Sequence, residues 1–317
     1  MRVLVTGGTG FIGSYVVRDL LQRGDHVVAT GTKTDLLFDV LSDIDDGLRP
    51  VFRLIDITDV ASLARVIKNE KINAIIHLAG MLGTGCKATP RQGALVDVVG
   101  TAGIFELAKV FDIQRIVWSS SISVFGYVES DRIIPDDAPH SVNGFYGLYK
   151  STNEQQARLY WEQSGIPSVG LRVAFSYGYG RTRGSGGSWV HQLMANPAQG
   201  RPAFIEGGDV MVPWQHVDDT ASSIIAALDA EVTGGKTYNT RGEPRMKQEA
   251  IDYIQKLFPD SKIILEREKT GGYATGLDDT AFRKEFGWTP KLSMEEGILR
   301  TVNRYRKVAG LPLVDPA

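Results

Sequence analysis

Two side chains near the middle of the chain could transfer a proton together. Tyr146 and Lys150 lie four residues apart in a segment with helical periodicity, so the phenol and the ammonium share one face of the helix. An ammonium held near a phenol favours the phenolate, which can take a proton from a substrate hydroxyl or return it. Such a pair on its own is more often part of an ordinary helix surface, so its meaning depends on its surroundings. Tyr149 also adjoins Lys150, but its spacing does not match, and we expect it to pack.

Hydroxyl groups end a predicted strand ahead of this helix. The apolar run Arg115–Trp118 leads into Ser119, Ser120 and Ser121. In an open parallel sheet, ligands bind beyond the carboxyl ends of the strands. A serine at this place could hold the substrate oxygen and fix its orientation.

The first 24 residues predict a nucleotide site next to these groups. Arg2–Val5 is a short apolar strand, Thr6–Gly10 is a glycine-rich turn, and Phe11–Leu21 has helical spacing, an order typical of a dinucleotide site. Glycine leaves no Cβ between the backbone and a pyrophosphate, and the N–H groups that begin the helix face the anion. The glycine spacing fits two forms of the dinucleotide-binding motif. Gly8, Gly10 and Gly13 match G-x-G-x-x-G, and Gly7, Gly10 and Gly13 match G-x-x-G-x-x-G.

Strands and helices alternate along the first half of the chain. Further strands are predicted at 27–30, 51–55, 74–78, 115–118 and 168–173, and helices at 60–70, 93–111, 146–164, 217–229, 246–258 and 295–308. Such alternation predicts an α/β fold, a Rossmann-type doubly wound parallel sheet with helices on both faces. We predict a dinucleotide-binding domain over residues 1–174 and a smaller C-terminal α/β substrate-binding lobe over 175–317, with elements partly interleaved.

Composition excludes several classes of protein. Of the 317 residues, 43% are hydrophobic and 23% charged, and the net charge of −2 gives no basic field that would attract nucleic acid or a membrane surface. No apolar run approaches the ~18 residues of a membrane span, and the short apolar start is not a signal peptide. The single cysteine, Cys86, fits a reducing compartment. No metal motif occurs. We expect a soluble cytoplasmic protein with no nucleic-acid or membrane partner and no metal.

Together these motifs resemble the extended short-chain dehydrogenase/reductase family of NAD(P)-dependent epimerases and dehydratases. The resemblance covers essentially the whole chain. Its segments are TGGTGFIG (6–13), Asp56-Ile57, HLAG (77–80), SSSISVFG (119–126), Tyr146 with Lys150, LRV and YG (171–178), HVDD (216–219) and FGWTP (286–290).

The resemblance implies a role for each site residue. Tyr146 would be the general acid/base, Lys150 would promote loss of its proton and hold the nicotinamide ribose, and Ser121 would bind the reacting oxygen. Members commonly pair through the two long helices near 93–111 and 146–164, so a homodimer is expected. Substrate contacts would be Ser123, Phe175 and Arg181. Cofactor contacts would be Gly7, Gly10, Phe11, Ile12, Gly13, Thr32, Lys33, Asp56, Ile57, Leu78, Ala79, Gly80, Tyr146 and Lys150.

One departure from the family pattern concerns the cofactor. NAD-selective members end the second strand with an acidic residue that accepts a hydrogen bond from the ribose 2′-hydroxyl. That place is taken by Gly31, followed by Thr32 and Lys33, whose donors could bind a 2′-phosphate. The expected cofactor is NADP or NAD, with a slight lean to NADP.

Other departures concern the substrate. Val99 stands where the family has an asparagine before Gly100. Phe175 and Val212 stand where nucleotide-sugar enzymes have an asparagine and an arginine near the substrate phosphates. A charged contact is typically worth ~1.5–3 kcal/mol, so the loss of both argues for a smaller substrate. The stretch HLAGMLGTG (77–85) is also similar to the threonine-dehydrogenase-type branch, which oxidises small hydroxy acids.

The sequence therefore predicts an NAD(P)-dependent oxidoreductase that interconverts a secondary alcohol and a ketone on a small polar molecule, either hydroxy-acid or sugar-like. The alternative is a sugar or nucleotide-sugar 4-epimerase that uses bound NAD for transient oxidation. A dehydratase would want an acidic pair after the catalytic hydroxyl, where this chain has Ile122 and Ser123. A nucleotide-binding protein without catalysis would usually lack the tyrosine or the lysine.

Overall fold

The computed structural model of the chain describes residues 1–42, 44, 47–126, 132–184, 187–206, 209–231, 233–266 and 275–317. The strands are β1 (Arg2–Thr6), β2 (His26–Gly31), β3 (Val51–Leu54), β4 (Ala74–His77), β5 (Arg115–Ser121), β6 (Ser168–Val173), β7 (Phe175–Tyr177), β8 (Ala203–Ile205), β9 (Met211–His216), β10 (Gly235–Thr240), β11 (Glu243–Met246) and β12 (Ile263–Leu265). The helices are α1 (Phe11–Gln22), α2 (Asp35–Leu41), α3 (Val60–Glu70), α4 (Gly83–Ala88), α5 (Pro90–Gly93), α6 (Gly100–Val110), α7 (Phe145–Ser164), α8 (Gly187–Ala198), α9 (Val217–Asp229), α10 (Lys247–Leu257), α11 (Thr280–Phe286) and α12 (Met294–Val308).

Within these residues, seven parallel strands form the central sheet, in the order β10-β6-β5-β4-β1-β2-β3. β1 lies between β2 and β4, and the chain order reverses there. In doubly wound sheets a crevice for a dinucleotide opens at this reversal, beyond the carboxyl ends of the strands. The predicted fold class is confirmed.

Helices bury both faces of the central sheet. Val5 of β1 belongs to the cluster that includes α1 and α9, whereas Leu4 belongs to the opposite cluster with α3 and α6. Successive side chains of a strand point to opposite faces, so both must be apolar when both faces are covered. This is why β1 has an unbroken apolar sequence.

The C-terminal part of the chain contributes a second core. β7, β9 and β11 form a small sheet, and β8 pairs with β12. Trp189, Leu193, Trp214, Ile254 and Ile298 pack together around these strands. β10 leaves this region and joins the central sheet beside β6.

Two features differ from the elements that the sequence patterns predicted. The helix predicted over residues 93–111 is interrupted by a π-helical stretch, Ala94–Val99, between α5 and α6. α2, α4, α8 and α11 occur where no helix was predicted. A π-helical turn is often found at functional sites, and this one lies beside the predicted active site.

Candidate active site

The glycine turn after β1 packs so closely that side chains are excluded from two positions. Gly7 has a φ of +68°, and a Cβ there would lie 2.6 Å from the amide nitrogen of Ala79. A Cβ on Gly13 would lie 2.1 Å from the carbonyl oxygen of Gly7. Gly10 is different, because it is exposed and a Cβ there would meet only the Gly7 oxygen, at 3.2 Å.

The start of α1 fits the pyrophosphate of a dinucleotide. Gly10 caps the helix in extended conformation, and no side chain of the described residues accepts a hydrogen bond from the first turn. The free N–H groups and the positive end of the helix dipole therefore face the crevice at the sheet edge. The cradle that Gly7, Gly10 and Gly13 form is the observation on which the fit of the cofactor rests.

We expect Gly10→Ala and Gly13→Ala to separate cofactor binding from folding. Gly10→Ala should change the unfolding free energy by less than about 1 kcal/mol yet weaken NAD binding at least about tenfold, because its methyl group would stand before the helix N-terminus. Gly13→Ala should destabilise the protein without cofactor by about 1–3 kcal/mol, because its methyl group has no room. Urea unfolding and an NAD titration measure the two effects. Unchanged NAD affinity in Gly10→Ala would show that the pyrophosphate does not lie there.

A steric contact explains the missing acidic residue at the end of β2. A Cβ on Gly31 would lie 2.0 Å from Oγ1 of Thr9, which is buried beside it. Glycine at position 31 is therefore required by Thr9, and the absence of a carboxylate does not in itself indicate a 2′-phosphate. Thr32 and Lys33 are exposed beyond the strand.

The other predicted cofactor residues follow β3 and β4. The N–H of Leu78 donates to the carbonyl of Thr6 at 3.0 Å, so the segment that begins with Leu78 lies against the glycine turn. The exposed carboxylate of Asp56 accepts hydrogen bonds from the amide of Thr58 at 2.9 Å and from its hydroxyl at 2.7 Å, while Ile57 is buried. The structure places these segments along the carboxyl edge of the sheet.

The serine strand and the tyrosine helix meet at this edge. Oγ of Ser121 accepts from the amide of Ser123 and donates to its hydroxyl, both at 3.1 Å. A Cβ on Gly147 would lie 2.3 Å from the carbonyl oxygen of Ser123, so the first turn of α7 rests directly on the turn that follows β5. Tyr146 immediately precedes Gly147, so this close approach places it next to the turn that carries Ser123.

Lys150 connects α7 to β5. Its side chain is 5% exposed, and Nζ donates to the carbonyl oxygen of Ser119 at 2.8 Å. Nζ lies 5.7 Å from the centre of the Tyr146 ring. An ammonium at this distance can favour a phenolate, so the geometry is compatible with the predicted acid–base pair.

Tyr149 and His77, two neighbours of the pair, have structural partners. The hydroxyl of Tyr149 donates to the carbonyl of Pro90 at 2.7 Å. Nδ1 and Nε2 of His77 are 2.7 Å and 3.0 Å from the hydroxyls of Thr6 and Thr101. Burial, with help from the nearby Lys150 ammonium, lowers the pKa of His77 to about 3, so the ring is neutral. His77 is therefore a hydrogen-bonded residue at the end of β4.

Two buried residues of the site, Asp97 and Asn153, were missed by the sequence analysis. The backbone carbonyl of Asp97 accepts from Oγ1 of Thr101 at 2.6 Å and from Nδ2 of Asn153 at 2.8 Å. Asn153 lies seven residues after Tyr146, on the same helical face, and this spacing could have indicated it. Val99, where an asparagine was expected, is 54% exposed. The polar support of this helix comes from Asp97 instead.

A buried ion pair between Glu154 and Arg172 supports β5 through a hydrogen bond with Ser120. Oε1 of Glu154 accepts from the hydroxyl of Ser120 at 2.5 Å, and Oε2 lies 2.7 Å from Nη2 of Arg172. Burial opposes ionisation of Glu154, but hydrogen bonds from Arg172 and His140 outweigh it and lower its pKa to about 2. Glu154 is one turn beyond Lys150 on α7, so the same helix carries the acid–base pair and this support.

The predicted substrate contacts are distributed over both parts of the chain. Ser123 lies beside Ser121, as described above. Phe175 is 2% exposed and stacks on Trp189, with ring centres 5.4 Å apart. The guanidinium carbon of Arg181 lies 5.6 Å from the ring centre of Phe11 and 5.8 Å from that of Phe175. Arg181 therefore bridges the glycine-turn helix and the second core, whereas Phe175 offers little surface to a ligand.

A sequence model of the NAD dependent epimerase/dehydratase family matches residues 3–240. The chain belongs to this family. It is similar to dTDP-glucose 4,6-dehydratase from Salmonella typhimurium, with 25% identity, covering 96% of this chain and 92% of that protein. As predicted, the protein is an NAD(P)-dependent enzyme of the extended short-chain dehydrogenase/reductase family.

Solved structures show the same fold in proteins with different activities. The UDP-glucose 4-epimerase from Thermus thermophilus, in complex with NAD, has 24% identity and a TM-score of 0.81, covering 96% of this chain and 99% of that one. A GalE-like L-threonine dehydrogenase from Cupriavidus necator has 20% identity and a TM-score of 0.84, covering 95% and 99%. The NAD complex gives no support to the lean toward NADP.

The described ranges hold no helix that is both long and apolar enough to cross a bilayer. In the same ranges, no group of three or more histidine, cysteine, aspartate or glutamate side chains could hold a metal ion.

Proposed function

We propose that this enzyme interconverts a secondary alcohol and a ketone on a small polar substrate, hydroxy-acid or sugar-like. The observation that carries the proposal is the placement of Ser121, Tyr146 and Lys150 at the carboxyl edge of the sheet, beside a glycine cradle that fits a dinucleotide. A net oxidation measured with added NAD, described at the end of the Discussion, tests it.

In the proposed reaction Tyr146 and Ser121 act on one oxygen of the substrate, and Lys150 acts through Tyr146. A bound nicotinamide supplies the hydride acceptor. Tyr146 removes the hydroxyl proton, and in the reverse direction it protonates the carbonyl oxygen. Lys150 favours the phenolate through its charge, and Ser121 donates a hydrogen bond to the same oxygen and orients it. Ser123 supports this by its hydrogen bonds with Ser121.

The proposal of a small substrate is supported by Phe175 and Val212, which are apolar where nucleotide-sugar enzymes have an asparagine and an arginine. Val212 is fully buried in the second core, and Phe175 is buried in an aromatic stack. Arg245, opposite Val212 on β11, is held by the carboxylates of Glu243 and Glu249. Neither buried apolar side chain could neutralise a diphosphate. Arg181 is then the proposed contact for a carboxylate or another anionic group of the substrate.

NAD is the cofactor we propose. Thr9 occupies the space beside Gly31, and its hydroxyl could accept a hydrogen bond from the ribose in place of a carboxylate. The NAD bound in the structure of the Thermus thermophilus relative favours the same choice. Since Cys86, the one cysteine, can form no internal disulfide, we propose a cytoplasmic location.

We also propose a homodimer formed by α6 and α7. Apolar side chains are exposed on both helices: Val110 is 68%, Leu148 45% and Leu159 40% exposed. An exposed apolar face on long helices is typical of a protein–protein contact.

Leu148→Glu together with Leu159→Glu is expected to convert the dimer to a monomer, because two carboxylates would be buried at the contact without partners. Sedimentation velocity at micromolar concentration measures the change. Leu313→Glu, at an exposed apolar position near the C-terminus, is the control and should remain dimeric. A monomeric wild-type protein would rule out the proposed contact.

A nucleotide-sugar 4-epimerase is the second candidate. It is favoured by the family match and by the similarity to the UDP-glucose 4-epimerase from Thermus thermophilus. An epimerase returns the hydride to its substrate, so added NAD would show no net reduction. That difference separates the two candidates in one assay.

A further inference from the structure

A cavity of about 130 Å³ lies where the two cores of the chain meet. Arg18 lines it from α1, which packs in the first core, and Arg300 and Arg304 line it from α12, which packs in the second. Within the described ranges, none of the residues assigned above to the cofactor or the substrate lines this cavity. It is therefore a separate feature from the candidate active site.

The two arginines of α12 would repel each other if nothing shared their charge. Arg300 and Arg304 are four residues apart, so they lie on one face of the helix, and like charges at this spacing destabilise a helix. The helix dipole favours cations only in the last turn, whereas Arg300 lies about two turns before the end of α12 at Val308. An anion within reach of both guanidinium groups would account for the arrangement.

Asp218 is the one carboxylate among the described residues that line the cavity, and two arginines share it. Its Oδ1 accepts from Nη2 of Arg18 at 2.9 Å, and its Oδ2 accepts from Nη1 of Arg300 at 3.2 Å. Asp19, which lies next to the cavity on α1, accepts from Nε of Arg18 at 2.6 Å. Arg18 is thus held by two carboxylates, whereas Arg300 has only a share in one.

The guanidinium groups of α12 can offer donors to a ligand. A guanidinium carries five N–H donors, and Arg300, which is 60% exposed, uses one of them within the described part of the chain. The guanidinium carbon of Arg304 lies 5.4 Å from the ring centre of Tyr179, whose hydroxyl donates to the carboxylate of Asp39 at 3.1 Å. Nη2 of Arg304 also donates to Oγ of Ser42 at 2.9 Å, so this side chain is already held against the cavity wall.

We propose that this cavity binds a small phosphate through Arg300 and Arg304, with Arg18 on the opposite side. Guanidinium groups recognise phosphate oxygens by paired, charge-assisted hydrogen bonds. Pockets for larger ligands usually measure about 300–1,000 Å³, so the cavity suits a single small anion and is too small for a nucleotide. The phosphate is either the free ion or the phosphate group of a small metabolite, and it would link α1 to α12.

Isothermal titration calorimetry of inorganic phosphate into the NAD-bound enzyme tests the proposal. Saturating NAD keeps phosphate away from the glycine cradle, and added chloride keeps the ionic strength constant. The wild type should bind phosphate saturably, with one site per chain. Arg300→Gln should raise Kd about fivefold or more, and the double variant Arg300→Gln with Arg304→Gln should show no saturable binding, because the charged donors are lost.

Arg65→Gln is the matched control. Arg65 is also exposed and lines another cavity, where the neighbouring Arg53 and Glu70 lie 3.5 Å apart as an ion pair. This variant should bind phosphate like the wild type. If the wild type shows no saturable binding, or if the double variant binds as tightly as the wild type, the proposal is wrong.

Arg300→Glu replaces the double variant if the latter does not fold, because the exposed side chain at position 300 can change without disturbing a core. Phosphate affinity equal to that of the wild type would then overturn the proposal. A titration with glycerol phosphate separates the two sources of the ligand. Binding of both compounds supports the phosphate group of a metabolite, and binding of inorganic phosphate alone supports the free ion. Neither titration needs turnover, so the result does not depend on the proposed reaction.

Discussion

Replacing Tyr146 by phenylalanine is expected to lower kcat by about 10²–10⁴-fold, the usual contribution of a positioned general acid/base. The phenol is the group that would exchange a proton with the substrate hydroxyl, and the phenyl ring retains the shape but not the proton. NAD should still bind, because the glycine cradle at Gly7, Gly10 and Gly13 is untouched. Steady-state kinetics and an NAD titration on the same preparation measure both effects.

The neighbouring tyrosine is the control for this substitution. The hydroxyl of Tyr149 donates to the carbonyl of Pro90. Tyr149→Phe should cost about 1 kcal/mol of unfolding free energy through the lost hydrogen bond and leave kcat within about threefold. Equal kcat in Tyr146→Phe and the wild type would exclude Tyr146 as the acid/base.

Glu154→Gln is expected to lower the unfolding free energy by about 3–5 kcal/mol, because it removes the carboxylate that pairs with the buried guanidinium of Arg172. Both side chains of this ion pair are almost fully buried, at 6% and 5% exposure, and the shortest N–O distance is 2.7 Å. Urea unfolding at neutral pH measures the loss. Because Ser120 donates to the same carboxylate, the serine strand should also loosen.

The sign of the pH dependence follows from the lowered pKa of Glu154. Its folded value of about 2 lies below the ordinary value of 4.5, so its stabilisation is complete above pH 4.5 and is lost as the pH falls toward 2. The variant should lose this part of the acid sensitivity. Glu162→Gln is the control, since the Arg158–Glu162 pair has the same 2.7 Å distance but is about half exposed. It should cost less than about 1 kcal/mol. Equal losses in the two variants would contradict the structural role of Glu154.

Much of the fold could be predicted because its signals are local. The apolar run at Arg2–Thr6 and the helical spacing after Gly10 each depend on a few neighbouring residues. The π-helical widening at Ala94–Val99 could not be predicted, because its sequence has the same apolar spacing as an α-helix. α8 begins directly after a glycine-rich stretch and contains Pro197, so the sequence carried signals against a helix there.

The part of the site that lies on a single helix could be predicted from the sequence. Tyr146 and Lys150 share a face of α7, and this is fixed by their spacing alone. Gly31 is required because Thr9 lies beside it, and the two residues meet only when β2 pairs with β1. The sequence alone does not show this contact, so the absence of a carboxylate at position 31 suggested NADP. Asp97 was overlooked for a similar reason. Its neighbours are valines, and only the folded chain turns it inward.

The names of the relatives and the residues of this site point to different reactions. The Salmonella typhimurium relative is named as a dTDP-glucose 4,6-dehydratase. Here Ile122 and Ser123 follow Ser121, and the hydroxyl of Ser123 accepts from Ser121. Neither side chain can supply the second acid or base that elimination of water requires. The family therefore fixes the hydride chemistry, while the side chains after β5 favour simple oxidation.

The most direct measurement is the absorbance of NADH when the enzyme is incubated with excess NAD and, in separate samples, a panel of small secondary alcohols that includes hydroxy acids, and UDP-glucose. We expect NADH to accumulate in proportion to the alcohol consumed for at least one small hydroxy compound, and UDP-glucose to be unchanged. Conversion of UDP-glucose to its 4-epimer without net NADH, and no NADH from any small alcohol, would contradict the proposed oxidation and establish the epimerase instead.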